Sequence, residues 1–134
     1  MTKKIFKSNI LVAVVVLIFG IACVMAILYQ HFGKQIDTEL KKEATYLAYG
    51  VEQNGMDYLN QIKEKDDRIT YIAEDGTVLY DNQADSSSME NHSDRKEVQE
   101  ALKSGSGRAE RDSKTLSQKT IYYALCLSDN TVLR

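Results

Sequence analysis

Few side chains in this 134-residue chain are placed to make or break bonds. No nucleophile stands beside a base, no carboxylate pair has a spacing suited to acid–base work, and no metal-ligating set gathers locally. An enzyme is the least favoured class. The two histidines sit in different settings. His31 borders an apolar run and reads as an interfacial residue, without the acidic neighbour of a phosphoacceptor. His92 lies in a polar loop. Either Asn91 and His92 bond the loop backbone and pin its turn, or His92 is a switch, since an imidazole changes charge near neutral pH. Arg95 carries the planar fork that matches a carboxylate or phosphate. The competing reading pairs it with Asp94 or Glu97 on the surface. Asp81, Asn82 and Asp85 offer oxygens to a cation, but their spacing is not that of an EF-hand, and a solvated loop is expected. Cys23 falls within the apolar run and Cys126 in the polar remainder, which makes a disulfide between them geometrically implausible. Two cysteines make no zinc site, and Cys126 is expected to act as a small buried apolar residue. No cofactor and no metal is expected.

The apolar run is the strongest single signal. Ile10 to Tyr29 is twenty residues without a charge. As a helix it is about 30 Å long, the thickness of a bilayer's hydrocarbon core. In lipid every backbone polar group must be paired within the segment, so a helix is required. Lys3, Lys4 and Lys7 precede it with no acidic residue among them, which places the N-terminus in the cytoplasm and the rest outside. A cleaved signal peptide fits poorly, because the run is too long and Ala26 to Tyr29 is a poor cleavage site. Gly20-Ile21-Ala22-Cys23 faintly resembles a lipoprotein processing site, but the chain stays apolar beyond Cys23. From Lys34 onward there are 14 basic and 19 acidic residues, a net of −5. That balance disfavours nucleic acid as a partner. The expected division is residues 1–9 cytoplasmic, 10–29 transmembrane and 30–134 extracytoplasmic.

Beyond the membrane the helix is expected to continue. Phe32, Ile36, Leu40, Ala44, Leu47 and Val51 form one apolar stripe, with charges on the other faces. The stripe suits packing on the chain's own domain and pairing with the same helix in a homodimer. Asn54-Gly55 should end it. A short helix is predicted from Met56 to Lys63, lying near the other face of the sheet or at an edge, and 64–67 reads as a charged connector. Arg68–Ala73 and Thr77–Asp81 flank Asp75-Gly76, a hairpin signature. Asn82 to Ser93 reads as a loop. A helix is predicted over Asp94–Ser104, with Asp94 and Glu97 as a capping box, Val98, Ala101 and Leu102 as its apolar face, and Gly105 as its stop. Strands follow at Ser106–Asp112, Lys119–Ser128 and from Thr131, the last two joined at Asp129-Asn130. The fold class is therefore α+β, a long helix followed by an antiparallel sheet of about five strands with flanking helices.

That order resembles the extracytoplasmic sensor region of bacterial sensor histidine kinases of the phosphate-regulon type. The resemblance is carried by Arg68-Ile-Thr-Tyr-Ile-Ala-Glu-Asp-Gly-Thr-Val-Leu-Tyr-Asp81, then Met89-Glu-Asn-His-Ser-Asp-Arg-Lys-Glu-Val98, Ala101-Leu102, Gly105-Ser-Gly107 and Thr120-Ile-Tyr-Tyr-Ala124. It implies a PAS-like fold of the Cache kind. It also implies a ligand pocket between the sheet and the helix and loop that cover it. By position that pocket would be lined by Tyr71, Tyr80, His92, Arg95, Tyr122 and Tyr123. Such kinases continue into a second membrane helix, a phosphoacceptor domain and an ATP-binding domain. None is found here, so an N-terminal fragment or a truncated gene product is expected, without kinase activity of its own.

The function expected from these readings is a signal-sensing input module of a two-component histidine kinase. It would relay a small anionic or envelope-derived signal through the Phe32–Val51 helix of a homodimer. The alternative is a membrane-anchored or lipoprotein envelope-binding protein without kinase signalling.

Overall fold

The computed structural model describes residues 2–63, 67–112 and 119–134. The chain divides into two compact units, Met1–Thr38 and Glu39–Arg134. Helix α1 (Thr2–Asn54) is a continuous run of 53 residues. It contains a segment of mean hydropathy 3.3 that is long and apolar enough to cross a membrane, with none of it buried by protein. Gly55, at a φ of 62°, ends the helix where Asn54-Gly55 predicts. A side chain is strained at such a φ, and glycine is not.

The second unit is a five-stranded antiparallel sheet with helices on both faces. Its strands are β1 (Thr70–Ile72), β2 (Val78–Asp81), β3 (Ser106–Asp112), β4 (Lys119–Cys126) and β5 (Val132–Leu133). They lie in the order β2-β1-β5-β4-β3, with every pairing antiparallel. The fold class matches the expected α+β sheet. Asp75-Gly76 makes the first hairpin turn: Thr77 accepts from the Ala73 N–H at 2.8 Å, and Gly76 takes a φ of 87°. Asn130, at a φ of 64°, makes the second hairpin turn between β4 and β5.

Each strand sends alternate residues to opposite faces. One face packs on α1 and on α2 (Met56–Gln61), with Ala48, Val51 and Leu59 against Ile69, Tyr71, Leu127 and Leu133. The other packs on α3 (Lys96–Ser104), with Val98 and Ala101 against Ile72, Ala124 and Val132. The short helix α2 thus shares α1's face instead of lying near the other face or at an edge. The reason is Leu59, fully buried in the α1-side core, with Tyr58 pressed against the bare Cα of Gly50. The α1 stripe divides. Ala44 and Val51 are buried, whereas Phe32 and Ile36 are exposed, and Ala48 joins the buried set. The charged connector expected at 64–67 lies outside the described residues except for Asp67.

The capping box at Asp94 does not form. Helix α3 starts one residue later than a cap at Asp94 requires, with Arg95 at the N-cap and no side-chain cap bond. Arg95 accepts from the backbone N–H of both Val98 and Gln99 at 3.0 Å. The Glu97 carboxylate cannot reach back to the helix start, because it is turned under the sheet. Glu97 is fully buried, while Leu102, expected on the apolar face, is part exposed. Gly105 ends α3 in the left-handed conformation, as predicted.

Candidate functional site

The α3 face of the sheet carries an unusual concentration of arginine. The register pairs Arg111 with Thr120 and Ala109 with Tyr122, so Arg111 and Tyr122 point to the same side. Thr70 and Arg134 join them there through reciprocal backbone hydrogen bonds of 2.7 and 2.8 Å. Glu97, from the first turn of α3, reaches down between the two arginines. Arg111 Nη2 donates to Glu97 Oε2, and Arg134 Nη1 lies 3.4 Å from Oε1. The two guanidinium carbons stand 4.6 and 4.9 Å from the centre of the Tyr122 ring, within cation–π range. Arg134 is almost fully buried, its side chain 6% exposed. Burial pulls its guanidinium down from the ordinary arginine value, and the Glu97 carboxylate holds it up.

A second carboxylate anchors the neighbouring edge. Asp81 Oδ2 accepts from Arg68 Nε and from the Thr70 hydroxyl, both at 2.9 Å. Its Oδ1 accepts from the N–H of Gln83 and Ala84 at 3.0 Å. Burial pushes the Asp81 carboxyl up, but the hydrogen bonds from Gln83, Arg68 and Thr70 outweigh it, and the net direction is down. Asp81 is therefore committed to internal bonds. The same holds for Asn82, whose oxygen accepts from the Ile69 N–H, and for Asp85, which accepts from Ser87. Among the described residues no group of His, Cys, Asp and Glu is arranged to hold a metal ion.

His92 lies under this cluster and is 7% exposed. Its backbone N–H donates to Gly76 at 2.8 Å, and the Asn91 amide donates to Asp75 at 2.9 Å. Asn91 and His92 thus pin the hairpin turn. The imidazole Nδ1 is buried without a hydrogen-bond partner, and so is Arg95 Nε. Asp94 lies 3.6 Å from that nitrogen, an ion-pair distance too long for a hydrogen bond. Burial first, then the positive charges of Arg134, Arg95 and Arg68, push the His92 pKa down, against a smaller pull from Glu97.

That direction sets a pH dependence. A histidine held neutral in the folded state stabilises it fully above the unfolded value, near about 6.5, and less as pH falls through that window. The melting temperature of the full chain, followed by circular dichroism, should fall between about pH 7.5 and about pH 5.5. His92→Gln should flatten that slope. An equal slope in the variant would remove His92 as its source.

Of the six positions expected to line a pocket, Tyr122 stands on the α3 face beside Arg111 and Arg134, and His92 and Arg95 lie in the segment that leads into α3. Tyr71, Tyr80 and Tyr123 stand on the opposite face, as the alternation of strand residues requires. The Tyr71 hydroxyl accepts from Thr131 Oγ1 at 3.0 Å, Tyr80 donates to the Leu59 carbonyl at 3.0 Å, and Tyr123 faces α1. Sequence reasoning missed Glu97 as a buried group, and it missed Arg68, Arg111 and Arg134. Cys126 is half-buried against the α3-side core, and burial raises its thiol pKa.

A five-stranded antiparallel sheet in this order, sandwiched by helices and carrying a polar cluster under one of them, defines an α+β domain. Residues 30–132 match the single Cache-like family, and the chain belongs to that family. Such a domain is an extracellular ligand-sensing module. No curated protein matches the chain.

Proposed function

We propose that the chain is the sensing input of a membrane-bound sensor histidine kinase, and that its signal is a small anion bound at the arginine cluster. The observation that carries this reading is the grouping of Arg68, Arg95 and Arg134 around the buried His92, with Arg111 joined to Arg134 through Glu97 and the Tyr122 ring. The two buried carboxylates, Asp81 and Glu97, offset part of that charge. Arg68, Arg95 and Arg111 form its more exposed side, each at least one-third open to solvent. An anion there would meet forked donors, and charge-assisted bonds of that kind are about twice as strong as neutral ones.

Orientation follows the positive-inside bias of Lys3, Lys4 and Lys7, with the cluster outside the cell. The relay is α1 itself, one unbroken helix from Thr2 to Asn54. A helix with two discrete positions carries a change as a rigid body. The exposed Phe32 and Ile36 give a second copy of α1 a seam to pack on. An apolar segment and a phosphoacceptor histidine encoded beyond Arg134 would support the kinase assignment.

The test is calorimetric titration of the full chain in lipid nanodiscs with inorganic phosphate and with succinate. Arg95→Ala is the informative variant, because Arg95 pairs only loosely with the exposed Asp94. It should weaken binding by about ten-fold to a hundred-fold, the size of one lost charge-assisted hydrogen bond. Unchanged affinity in the variant, or no binding of either anion to the parent chain, would reject the anion site.

A further inference from the structure

On the face opposite α3, a cavity of about 270 Å³ lies between α1 and the sheet. Leu40, Ala44 and Leu47 of α1 form one wall, and Ile69, Tyr123 and Leu133 form the other. Four charged residues also border it: Glu43, Asp67, Arg68 and Arg134. Both arginines are engaged in ion pairs, Arg68 with Asp81 at 2.9 Å and Arg134 at 3.4 Å with Glu97, which it shares with Arg111. The two carboxylates are not. Among the described residues neither Glu43 nor Asp67 has an ion-pair partner. Glu43 instead feels burial and the repulsion of Asp67 and Glu39, all of which raise its pKa. Among the described residues, the charge at this cavity that has no ion-pair partner is therefore negative.

We propose that this cavity is a second ligand site, for a small molecule with an apolar body and one positive charge, such as an arylalkyl ammonium. The body replaces water along the aliphatic walls. The ammonium sits at the Glu43 and Asp67 rim, where two uncompensated carboxylates favour it. The Tyr123 ring adds a face that attracts cations. The volume lies just below the range of about 300–1,000 Å³ usual for drug-sized ligands, which suits one ring and a short chain. The cavity lies on the α1 side of the sheet; Arg68 and Arg134 of the arginine cluster border it, whereas Arg95 and Arg111 do not.

The full chain in nanodiscs would be titrated with phenethylammonium, 2-phenylethanol and 3-phenylpropionate, with empty nanodiscs as the blank. These probes share a phenyl body and differ in charge. Phenethylammonium should bind saturably and about ten-fold more tightly than the propionate, the effect of about 1.4 kcal/mol of charge preference. Ala44→Phe, which fills the cavity from α1, should abolish saturable binding of all three. Glu43→Gln, on an exposed position of the helix, should keep the body's binding and lose most of the cation preference. Arg95→Ala should leave amine binding intact, so failure of the anion site and failure of this one are separable. Tighter binding of the propionate, equal cation preference in Glu43→Gln, or no saturable amine binding would each overturn the proposal.

Discussion

Replacing Glu97 with alanine should destabilise the folded unit by about 3–5 kcal/mol, the usual cost of removing one member of a buried ion pair. The carboxylate is fully buried and holds two guanidiniums at once, Arg111 and Arg134. Arg111 is one-third exposed and can turn to water. Arg134 cannot, because its side chain is almost fully enclosed beside Tyr122 and Thr70. Most of the expected loss therefore comes from one stranded charge. Urea unfolding of the full chain, followed by circular dichroism, would show a lower midpoint at unchanged slope. Glu97→Gln keeps the shape and an acceptor, and should fall between the parent and the alanine variant. If Glu97→Ala unfolds within about 0.5 kcal/mol of the parent, the carboxylate does not hold the cluster together.

The second large effect is steric. Gly107 on β3 lies directly beneath α3, where an added β-carbon would overlap the Glu97 carbonyl oxygen and stand 2.8 Å from the Glu100 β-carbon. The obstacle is helix backbone, which cannot rotate away as a side chain does. Gly107→Ala should therefore cost about 3 kcal/mol, at the upper end of overpacking. It should also weaken anion binding, because α3 must lift off the sheet and take Glu97 with it. Gly33→Ala is the control, since nothing lies within 4 Å of its added carbon. Equal unfolding midpoints for the two variants would contradict the close approach of α3 to β3.

Local chemistry was legible in the sequence, and long-range pairing was not. Asp75-Gly76 and Asp129-Asn130 announced both hairpins because a positive φ favours so few residue types. Gly105 announced the end of α3 for the same reason. Glu97 misled. Three residues after Asp94 it has the spacing of a capping box, and nothing local reveals that arginines 14 and 37 residues further on will draw it beneath the sheet. The tyrosines misled differently. Tyr122 and Tyr123 are neighbours and therefore face opposite ways, so a pocket drawn from both had to lose one. Tyr71 and Tyr80 pair across β1 and β2, so they share the α1 face. His92 and Arg95 were singled out because an imidazole and a guanidinium in a polar loop stand out by type. Ala48 was missed on the α1 stripe because the stripe was drawn through its larger apolar neighbour, Leu47.

The strand order has a consequence for the timing of folding. Hairpins β1-β2 and β3-β4 are each built from chain neighbours, and within the sheet the two halves are joined through β5. That strand is two residues long and follows the other four in sequence, yet it occupies the middle of the sheet. Each hairpin can assemble as it emerges, but the sheet cannot close until Val132 and Leu133 arrive. Until then, the inner edges of β1 and β4 stay open, with unpaired backbone groups that template wrong pairings. A chaperone acting on the emerging chain would therefore find its substrate in the interval between completion of β4 and arrival of β5.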